Sequence, residues 1–545
     1  MTSRTRSRGQ GKSLTALVLA GILVVAACQG AVIVSHLARA VPAAYVFCDD
    51  AFYDFTVARN IASGHGITID GIHATNGFQP LWTALLVPVF WGFHSDRAVF
   101  GFVYLLSVLF WGLASWLFVR LVAGYLPDGS HRPVILGFAA LCFVADRDIQ
   151  AYFLSGLETG LYATLLLGCL LLWPGRDLTR WHAVRVGVLL GALMLARNDG
   201  VFFAGAFLAS ALVWQRHRQG IVSVAGAGVV ASALLLPWLL FGYRLTGTIV
   251  PQGGWATGVG VNACPPSLAK IATTLRILAE LFLTPFVPVS RLSDTAVGVL
   301  GIVAIGLALF LTRREVRRRP ELVAVAIPYL AACALLVGYY TMASGAMWFY
   351  SRYFMPIKIV ALFLLSLAFA HVLRRTTAHL RTALVVLAVM VCVGVNLYRA
   401  HAAYGRGGYM TPEALAILRD RPTTPRIGAF ESGRVGYLFP EQIINLDGKV
   451  NLRALESIAS GTFLDYLDRT GIDVIYCRPE CTLWMEAEYP SWRKSWRDEG
   501  HHDPNVLEHL YRRKDKRRAD FLNRLNPPLP ARPTGPPLPH PAAPG

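Results

Sequence analysis

Long stretches of uninterrupted apolar sequence dominate this chain. No charged residue interrupts positions 13–35 or 98–119, and each stretch reaches the roughly 20 residues that an α-helix needs to cross a hydrocarbon core. Further apolar runs lie at 80–93, 133–145, 157–173, 186–214, 221–243, 294–312, 321–342, 354–373 and 382–398. The pattern predicts an all-α polytopic membrane protein with about ten to twelve transmembrane helices.

The run at 186–214 carries a polar interruption at its centre. Arg197, Asn198 and Asp199 would place three polar groups in lipid if the run formed one span, at a cost of several kcal/mol. One span would also put the basic segments that flank the run on opposite sides of the membrane. We therefore expect two short spans that meet outside the membrane at residues 197–199. The short runs at 80–93 and 133–145 leave the crossings between residues 80 and 155 open, since either run can be re-entrant or interfacial.

Charge supports the membrane class and gives an orientation. The chain is 54% hydrophobic and 15% charged, with a formal net charge of +18, whereas soluble domains carry about 25% charged residues. Basic clusters lie between the apolar runs, near residues 4–12, 176–185, 216–218, 313–319 and 374–381. This is the pattern of cytoplasmic loops, so the charge does not indicate binding to nucleic acid. It predicts a cytoplasmic N-terminus (1–12), a transmembrane module (13–400) and an extracytoplasmic first loop (37–80).

The composition changes after residue 400. Strand-like segments at 426–430, 434–439, 442–446 and 473–477 alternate with a helical segment at 462–470. They predict a small extracytoplasmic α/β domain over 401–525. Residues 526–545 are rich in Pro and are predicted to form a disordered tail. The nine cysteines give no disulfide framework, but two pairs lie on the predicted outer side and are candidates for oxidation, Cys477 with Cys481 and Cys48 with Cys264.

The first loop carries the candidate chemistry. Asp49 and Asp50 lie just beyond the first span, and adjacent carboxylates resist full desolvation. Near a membrane surface such a pair suits a general base, a metal ligand or a cation site. A helix that begins near Asp50 would hold Asp54 beside the pair. The simplest alternative is that one of the two aspartates only caps this helix, a position that Asp favours.

Several motifs resemble one family of membrane enzymes. The first loop contains Asp-Asp-Ala-Phe-Tyr (49–53), Ala-Arg-Asn-Ile-Ala-Ser-Gly-His-Gly (58–66) and Thr-Asn-Gly-Phe-Gln-Pro-Leu-Trp (75–82). Further motifs are Ser-Gly-Leu-Glu-Thr (155–159), Leu-Ala-Arg-Asn-Asp-Gly (195–200), Ser-Arg-Tyr-Phe-Met-Pro (351–356), Gly-Arg-Val-Gly-Tyr (433–437) and Asn-Leu-Asp-Gly (445–448). In this order they resemble the GT-C membrane glycosyltransferases, most closely the branch with arabinofuranosyltransferases of the AftB kind. Asn198 and Asp199 depart from that branch, where Pro and Glu are common, so the donor sugar is not specified.

The resemblance implies a GT-C fold and a reaction. It implies a polyprenyl-phosphate-sugar donor from the outer leaflet, a glycan, lipid or protein acceptor on the extracytoplasmic side, and inversion at the anomeric carbon. In that reaction Asp50, or else Asp49, takes the proton of the acceptor hydroxyl as general base. The candidate ligands of the leaving phosphate are Arg352, Arg197 and Lys358, because each lies near a predicted outer end of a span. Interfacial snorkelling is the alternative for these cations.

Other polar residues are candidate substrate or metal ligands. Glu158 and Asp199 fall at the predicted level of the acidic pair and can orient sugar hydroxyls. Glu158 can also complete a site for Mg²⁺, Mn²⁺ or Ca²⁺ with Asp49 and Asp50, since these ions take oxygen ligands, and metal use varies among GT-C enzymes. The remaining candidates for donor or acceptor binding are Arg59, Asn76, Gln79, Tyr53 and Trp82. For the two aromatic residues an interfacial belt is an equally good explanation.

The sequence thus predicts a GT-C glycosyltransferase in the cytoplasmic membrane of a bacterium, surrounded by membrane lipids and acting on the cell envelope. A secondary transporter that couples transport to protons or cations through carboxylates is the first alternative. It is disfavoured because the chain shows no internal repeat and places its carboxylates at the outer interface. A non-catalytic envelope assembly factor on the same scaffold is the second alternative. The sequence contains no GxGxxG, Walker A or HExxH motif, which disfavours a nucleotide-driven pump.

Overall fold

The computed structural model describes residues 3–38, 47–129, 131–173, 179–214, 218–263, 265–345, 347–404, 426–498 and 509–514. The predicted Pro-rich tail and Cys264 lie outside the described residues, as do residues 405–425 near the predicted start of the C-terminal domain. Helices make up the part before residue 405, and a small sheet lies after residue 425.

The membrane module is built from helices of very different lengths. In chain order they are α1 (Ser3–Ala38), α2 (Ala51–Ala62), α3 (Pro80–Gly92), α4 (Asp96–Gly124), α5 (Arg132–Ala145), α6 (Arg147–Phe153), α7 (Thr159–Leu172), α8 (Arg180–Ala196), α9 (Gly200–Trp214), α10 (Arg218–Thr246), α11 (Gln252–Ala256), α12 (Leu268–Glu280), α13 (Asp294–Arg317), α14 (Pro320–Ala343), α15 (Tyr350–Tyr353), α16 (Met355–Arg375) and α17 (Ala378–Tyr404). Within the described ranges, seven are long and apolar enough to cross a membrane, namely α1, α4, α10, α13, α14, α16 and α17. The predicted all-α polytopic class is confirmed.

The surfaces of the long helices are apolar. Leu23 of α1, Val229 of α10 and Ile302 of α13 are 70%, 67% and 69% exposed. Large apolar side chains in such positions are stable in contact with lipid, whereas in water they would form extended hydrophobic patches. The two short runs that the sequence left undecided form α3 and α5, of 13 and 14 residues. At 1.5 Å per residue neither helix alone covers a hydrocarbon core of about 30 Å.

The apolar run at 186–214 is broken where the sequence predicted. Helix α8 ends at Ala196 and α9 begins at Gly200. Arg197 adopts an extended backbone, with φ −153° and ψ 135°, because it follows the last helical residue. Its guanidinium pairs with the carboxylate of Asp199, so the polar residues of the break satisfy one another. The prediction of two short helices is confirmed.

A small α/β domain follows the membrane module. Its strands are β1 (Arg426–Ala429), β2 (Ile443–Asn445), β3 (Ile472–Cys477), β4 (Trp496–Asp498) and β5 (His509–Arg513). They form one sheet in the order β2-β1-β3-β5-β4, in which β1 is parallel to β2 and β3, and β5 is antiparallel to β3 and β4. The helices are α18 (Gly433–Leu438), α19 (Leu452–Ala459), α20 (Phe463–Thr470), α21 (Pro479–Glu488) and α22 (Trp492–Ser495). The predicted α/β class of this domain is confirmed.

One predicted strand in this domain is wrong. Residues 434–439 alternate in the manner of a strand, but Gly433–Leu438 form α18. The carboxylate of Asp49 in the first loop accepts hydrogen bonds from the first two backbone N–H groups of this helix. A contact across 384 positions of sequence therefore decides the local structure. Cys477 and Cys481 are free thiols, so this candidate pair is not oxidised in the structure.

Two glycines allow the C-terminal domain to lie directly on the first loop. A Cβ atom at Gly433 would come 2.0 Å from the carbonyl oxygen of Asp49. A Cβ atom at Gly77 would come 1.7 Å from the carbonyl oxygen of Lys449. Both separations are far below van der Waals contact, and both partners are backbone atoms that cannot rotate away. We call this contact, at Gly77 with Lys449 and at Asp49 with Gly433, the docking contact.

We expect Gly433→Ala to weaken the docking contact. The added methyl group must displace backbone, and overpacking of this kind costs about 1–3 kcal/mol. Gly436→Ala in the same helix is the matched control, because the nearest heavy atom to its new Cβ would lie 3.9 Å away. Limited proteolysis and thermal unfolding of the two variants in detergent measure the difference. Equal stability and equal protease resistance of the C-terminal domain would contradict the assignment.

Candidate active site

The start of α2 presents the acidic pair to the C-terminal domain. Asp50 precedes α2 with φ −59° and ψ −27°, and its side chain makes no capping hydrogen bond to that helix. Phe52 and Phe55 pack edge-on against Phe47, with ring centroids 6.5 and 5.4 Å away. Phe52 also packs edge-on against Tyr437 of α18 at 5.4 Å. The aromatic core therefore fixes this turn, and the interpretation of Asp50 as a helix cap is wrong.

Asp49 serves as a clamp between the loop and the C-terminal domain. Its Oδ2 accepts the N–H of Gly433 at 2.9 Å, and its Oδ1 accepts the N–H of Arg434 at 2.8 Å. The Arg434 guanidinium in turn donates to the carbonyl of Phe47 at 2.8 Å. Both carboxylate oxygens of Asp49 are thus committed to backbone donors of α18.

Asp50 forms an ion pair with the C-terminal domain. Its Oδ1 lies 3.0 Å from the ammonium nitrogen of Lys449, which also lies 3.7 Å from Oδ2 of Asp447. The Tyr53 hydroxyl donates a hydrogen bond to the same Asp447 oxygen at 3.1 Å. Burial alone would raise the pKa of the Asp50 carboxyl, but the charges of Lys449 and Arg352 outweigh burial and hold this pKa below its ordinary value. Asp50 is therefore ionised at physiological pH.

A second charged cluster joins α15 to the start of α7 and to the break between α8 and α9. Nη2 of Arg352 lies 2.8 and 3.0 Å from the two oxygens of Glu158. Arg197 Nε lies 3.7 Å from Glu158, and Arg197 Nη2 pairs with Asp199. The Tyr340 hydroxyl donates to Asp199 Oδ2 at 3.0 Å. The four charged side chains are at most 7% exposed, so each charge depends on its partners for stability.

The two charged clusters belong to one site. The Arg352 guanidinium is among the charges that lower the pKa of Asp50. At Tyr353, burial raises the pKa of the phenol, while the charges of Arg352 and Asp50 act on it in opposite directions. A direct contact joins the two clusters, because the backbone N–H of Cys48 in the first loop donates to the carbonyl of Ser155 at 3.1 Å, three positions before Glu158. The structure thus brings together five predicted residues, with Lys449 added from the C-terminal domain, namely Asp50, Tyr53, Glu158, Arg197 and Arg352.

Arg59 and Asn76 make contacts that hold the loop in place. Arg59 Nη1 donates to the carbonyl of Tyr437 at 3.0 Å, and its guanidinium lies 4.2 Å from the Tyr437 ring centroid. Asn76 exchanges two hydrogen bonds with Gln252 at the start of α11, each of 3.0 Å. These contacts attach the first loop to α18 and to α11. They give no support to the predicted binding of sugar by either residue.

Gln79 and Trp82 likewise have structural partners. The N–H of Gln79 donates to Oδ1 of Asp54 at 3.1 Å, and this oxygen also accepts from the Thr83 hydroxyl at 2.7 Å. Asp54 therefore binds the start of α3, which corrects the expectation that α2 holds it beside Asp50. Trp82 is 1% exposed and donates its Nε1–H to the carbonyl of Gly156 at 3.0 Å. It is a core residue rather than a stacking platform.

Lys358 belongs to a separate polar cluster inside the helix bundle. Its ammonium is fully buried and lies 3.1 Å from Asp146 Oδ2 and 3.0 Å from Asp148 Oδ2. It also donates to the carbonyl of Leu281 at 2.8 Å and to the hydroxyl of Thr284. An ammonium has three hydrogen-bond donors, and these four oxygens already use them. The geometry contradicts the predicted role of Lys358 as a phosphate ligand.

The predicted cation site does not fit the structure. The Asp49 oxygens accept backbone N–H groups, the Glu158 oxygens are bound by Arg352, and Asp50 is paired with Lys449. Within the part of the chain that the structure describes, no group of three or more His, Cys, Asp or Glu side chains could hold a metal ion. We therefore derive no catalytic step through Mg²⁺, Mn²⁺ or Ca²⁺.

The C-terminal domain contributes charged residues to the site that the sequence did not predict. Lys449 and Asp447 come from the loop after β2, and Glu431 forms an ion pair with Arg478 nearby. Burial raises the pKa of the Glu431 carboxyl to about 7, against the opposing charge of Arg478. The motif at 445–448 stops one position before Lys449. Its family resemblance was the signal that could have pointed to this loop.

Comparison with known proteins identifies the fold. No family model and no curated protein matches the chain. Among solved structures, it is similar to ArnT from Cupriavidus metallidurans bound to undecaprenyl phosphate, with a TM-score of 0.53 and 11% identity over 90% of this chain and 97% of ArnT. The archaeal oligosaccharyltransferase AglB from Archaeoglobus fulgidus, in complex with an inhibitory peptide and a dolichol-phosphate, gives a TM-score of 0.50 and 13% identity over 92% of this chain and 74% of AglB. The chain is a multi-pass membrane protein with a GT-C fold, as the sequence predicted.

We expect Glu158→Gln to destabilise the fold strongly. The change leaves Arg352 buried without its carboxylate partner, and breaking a buried ion pair in this way costs about 3–5 kcal/mol. Glu321→Gln at the exposed start of α14 is the matched control and should cost about 0.5 kcal/mol or less. Denaturant unfolding in detergent measures both variants. Similar free energies of unfolding for the two would show that the buried cluster does not hold the site together.

Proposed function

We propose that the chain is a membrane glycosyltransferase that moves a sugar from a polyprenyl-phosphate donor to a glycan, lipid or protein acceptor of a bacterial cell envelope. The observation that carries the proposal is Asp50, an ionised carboxylate that is paired with Lys449 where the first loop meets the C-terminal domain. The GT-C fold supports it, because ArnT was solved with undecaprenyl phosphate and AglB with dolichol-phosphate. Transfer would occur with inversion at the anomeric carbon.

Asp50 would act as the general base. A base must lie within hydrogen-bond reach of the proton that it removes, and its position matters before its pKa. Asp49 is less suited to this role, since both of its oxygens accept backbone N–H groups of α18, which lowers its basicity. Asp50 uses Oδ1 for Lys449, so we assign Oδ2 to the acceptor hydroxyl.

Arg352 would bind the leaving phosphate. Its bonds to Glu158 and Thr159 use Nη2 and Nε, so we assign Nη1 to a phosphate oxygen. Glu158 holds the guanidinium in one orientation before the substrate arrives, which is the preorganisation that stabilises developing charge. Arg197 is held by Glu158 and Asp199 and would strengthen the positive potential at this position.

Asp199 would orient a hydroxyl of the donor sugar. Its Oδ2 is bound by Arg197 and Tyr340, whereas its Oδ1 is buried without a hydrogen-bond partner among the residues described. A buried oxygen without a partner is costly, and a sugar hydroxyl would satisfy it. We further propose that the donor is a pentosyl or hexosyl polyprenyl phosphate, because the first-loop motifs resemble those of the AftB-type branch while Asn198 and Asp199 depart from it. Envelope glycans from a deletion strain would lack one sugar residue, and that missing sugar would identify both the donor and the acceptor.

Assays of the purified protein in proteoliposomes distinguish sugar transfer from the two alternatives, a secondary transporter and a non-catalytic assembly factor. A secondary transporter would accumulate solute in proteoliposomes and form no glycosidic bond. An assembly factor on the GT-C scaffold would support envelope synthesis in the cell even when Asp50 is replaced. Transfer of sugar by the purified wild-type protein excludes both as the main function.

We expect Asp50→Asn to lower sugar transfer from a polyprenyl-phosphate donor by about 10²–10⁴-fold, the usual contribution of a general base. Asp70→Asn is the matched control, because Asp70 is an exposed carboxylate of the same loop. Initial rates in proteoliposomes, with thermal unfolding to confirm the fold, measure the effect. A wild-type rate of sugar transfer by Asp50→Asn would contradict the proposal that Asp50 is the base.

We also propose that the first loop and the C-terminal domain face the outside of the cytoplasmic membrane, with the N-terminus inside. Ile72 is 78% exposed in the first loop, and Arg318 is exposed between α13 and α14. An impermeant maleimide should label Ile72→Cys on intact spheroplasts and Arg318→Cys only after permeabilisation, each compared with the parent protein. The reverse pattern would show that the orientation is wrong.

A further inference from the structure

Lys449 has a fixed backbone and a side chain with access to solvent. Its N–H donates to Oδ1 of Asp447 at 2.9 Å, and its carbonyl oxygen lies against Gly77 in the docking contact. The side chain is 19% exposed and places Nζ between Asp50 and Asp447, at 3.0 and 3.7 Å. The ammonium also lies 5.9 Å from the ring centroid of Tyr53. The loop therefore places one cation between two carboxylates, where the C-terminal domain meets the first loop.

The carboxylates around Lys449 outnumber the cations. Asp50, Asp447 and Glu431 all act on the Lys449 ammonium, and their charges overcome burial and keep its pKa above the ordinary value. Lys449 is therefore a permanent cation. Because Asp50 is paired with it, the empty site holds its base in a weakly basic form, which is a poor state for proton removal.

We propose that Lys449 rests on Asp50 while the site is empty and moves to the phosphate of the donor when the donor binds. The proposal rests on the proposed function and deepens it, because it assigns a donor-phosphate ligand to the C-terminal domain. The ligand chemistry is a phosphate ester on a polyprenyl lipid. The geometry that carries it is one partly exposed ammonium, which extends from a fixed backbone and is paired with the carboxylate of the first loop.

The chemistry of a lysine suits this exchange. An ammonium is a compact charge on a flexible stem, so it can change partners, whereas the Arg352 fork is locked on Glu158. When Lys449 leaves, Asp50 takes the proton of the acceptor hydroxyl, and the acceptor oxygen forms its bond to the anomeric carbon. The bond from that carbon to the phosphate oxygen breaks, and the electron pair stays on the polyprenyl phosphate. Lys449 and Arg352 then neutralise the charge that develops there.

The exchange has a signature in the pH dependence. The charged and titratable groups that act on Asp50 or lie in its surroundings are Cys48, Asp49, Tyr53, Arg352, Tyr353, Glu431, Asp447, Lys449 and Arg478. In the free enzyme the charges of Lys449 and Arg352 lower the pKa of Asp50, so the acid limb of kcat/KM should lie below the range of an ordinary aspartate. Once the donor has drawn Lys449 away, this pKa rises. The acid limb of kcat, which reports the substrate complex, should therefore lie at higher pH than that of kcat/KM.

Binding of polyprenyl phosphate itself is the first test. We expect Lys449→Met to raise the Kd for polyprenyl phosphate by about tenfold or more, which is the effect of losing one charge-assisted hydrogen bond. Lys494→Met is the matched control, an exposed lysine of α22 in the same domain. Phosphatidylglycerol vesicles and inorganic phosphate serve as comparison ligands. An unchanged affinity of Lys449→Met for polyprenyl phosphate would overturn the proposal. An equal loss of affinity for phosphatidylglycerol would show that Lys449 binds lipid headgroups in general and not the donor.

The second test uses the wild-type protein and does not depend on a variant that folds. A polyprenyl phosphate that carries a photoreactive group beside its phosphate is cross-linked to the protein, and peptide mass spectrometry compares the peptides that contain Lys449 and Lys494. Cross-linking of the Lys449 peptide alone is expected. The absence of cross-links to the Lys449 peptide would contradict its role as a ligand.

The third test separates this inference from the proposed function. The acid limbs of kcat and kcat/KM should differ in the wild type and coincide in Lys449→Met. Coinciding limbs in the wild type would overturn the exchange while leaving sugar transfer intact. If no donor supports transfer, the proposed function fails, and the two binding tests still decide whether Lys449 holds a polyprenyl phosphate.

Discussion

The carboxylate of Asp49 ties the membrane module to the C-terminal domain, and the candidate site depends on this bond. Two backbone N–H groups of α18 bind the two oxygens of Asp49, and the adjacent glycine permits the close approach. Lys449 reaches Asp50 only because the domain is docked in this position. The two neighbouring aspartates therefore have different partners in the C-terminal domain, since Asp49 binds the start of α18 and Asp50 pairs with Lys449.

The fold was largely readable from the sequence because lipid imposes a simple rule. A helix that crosses the membrane needs a long apolar run, and the runs at 98–119 and 294–312 became α4 and α13. The break at residues 197–199 was also predictable, since charged groups in lipid are costly. The helix α18 was not, because its first N–H groups are satisfied by Asp49. A short segment takes its conformation from such distant partners, which local alternation does not reveal.

The site was readable in part. Motifs named Asp50, Glu158 and Arg352, and the structure places them in coupled charged clusters. Their pairing was not visible, because whether a cation is free or held by a carboxylate depends on three-dimensional contacts. Lys358 failed as a prediction for this reason, since its four oxygen partners come from distant segments. Lys449 was missed because its partner Asp50 lies 399 positions away.

The buried cluster of Lys358 with Asp146 and Asp148 has a consequence for biogenesis. Asp146 lies between α5 and α6, Asp148 lies in the first turn of α6, and Lys358 lies near the start of α16. Charges of either sign in this buried cluster depend on the other sign, because leaving one partner of a buried ion pair alone costs about 3–5 kcal/mol. The carboxylates emerge from the ribosome about 210 residues before their lysine. A chain truncated before α16 would therefore lack the cation with which both carboxylates pair in the folded protein.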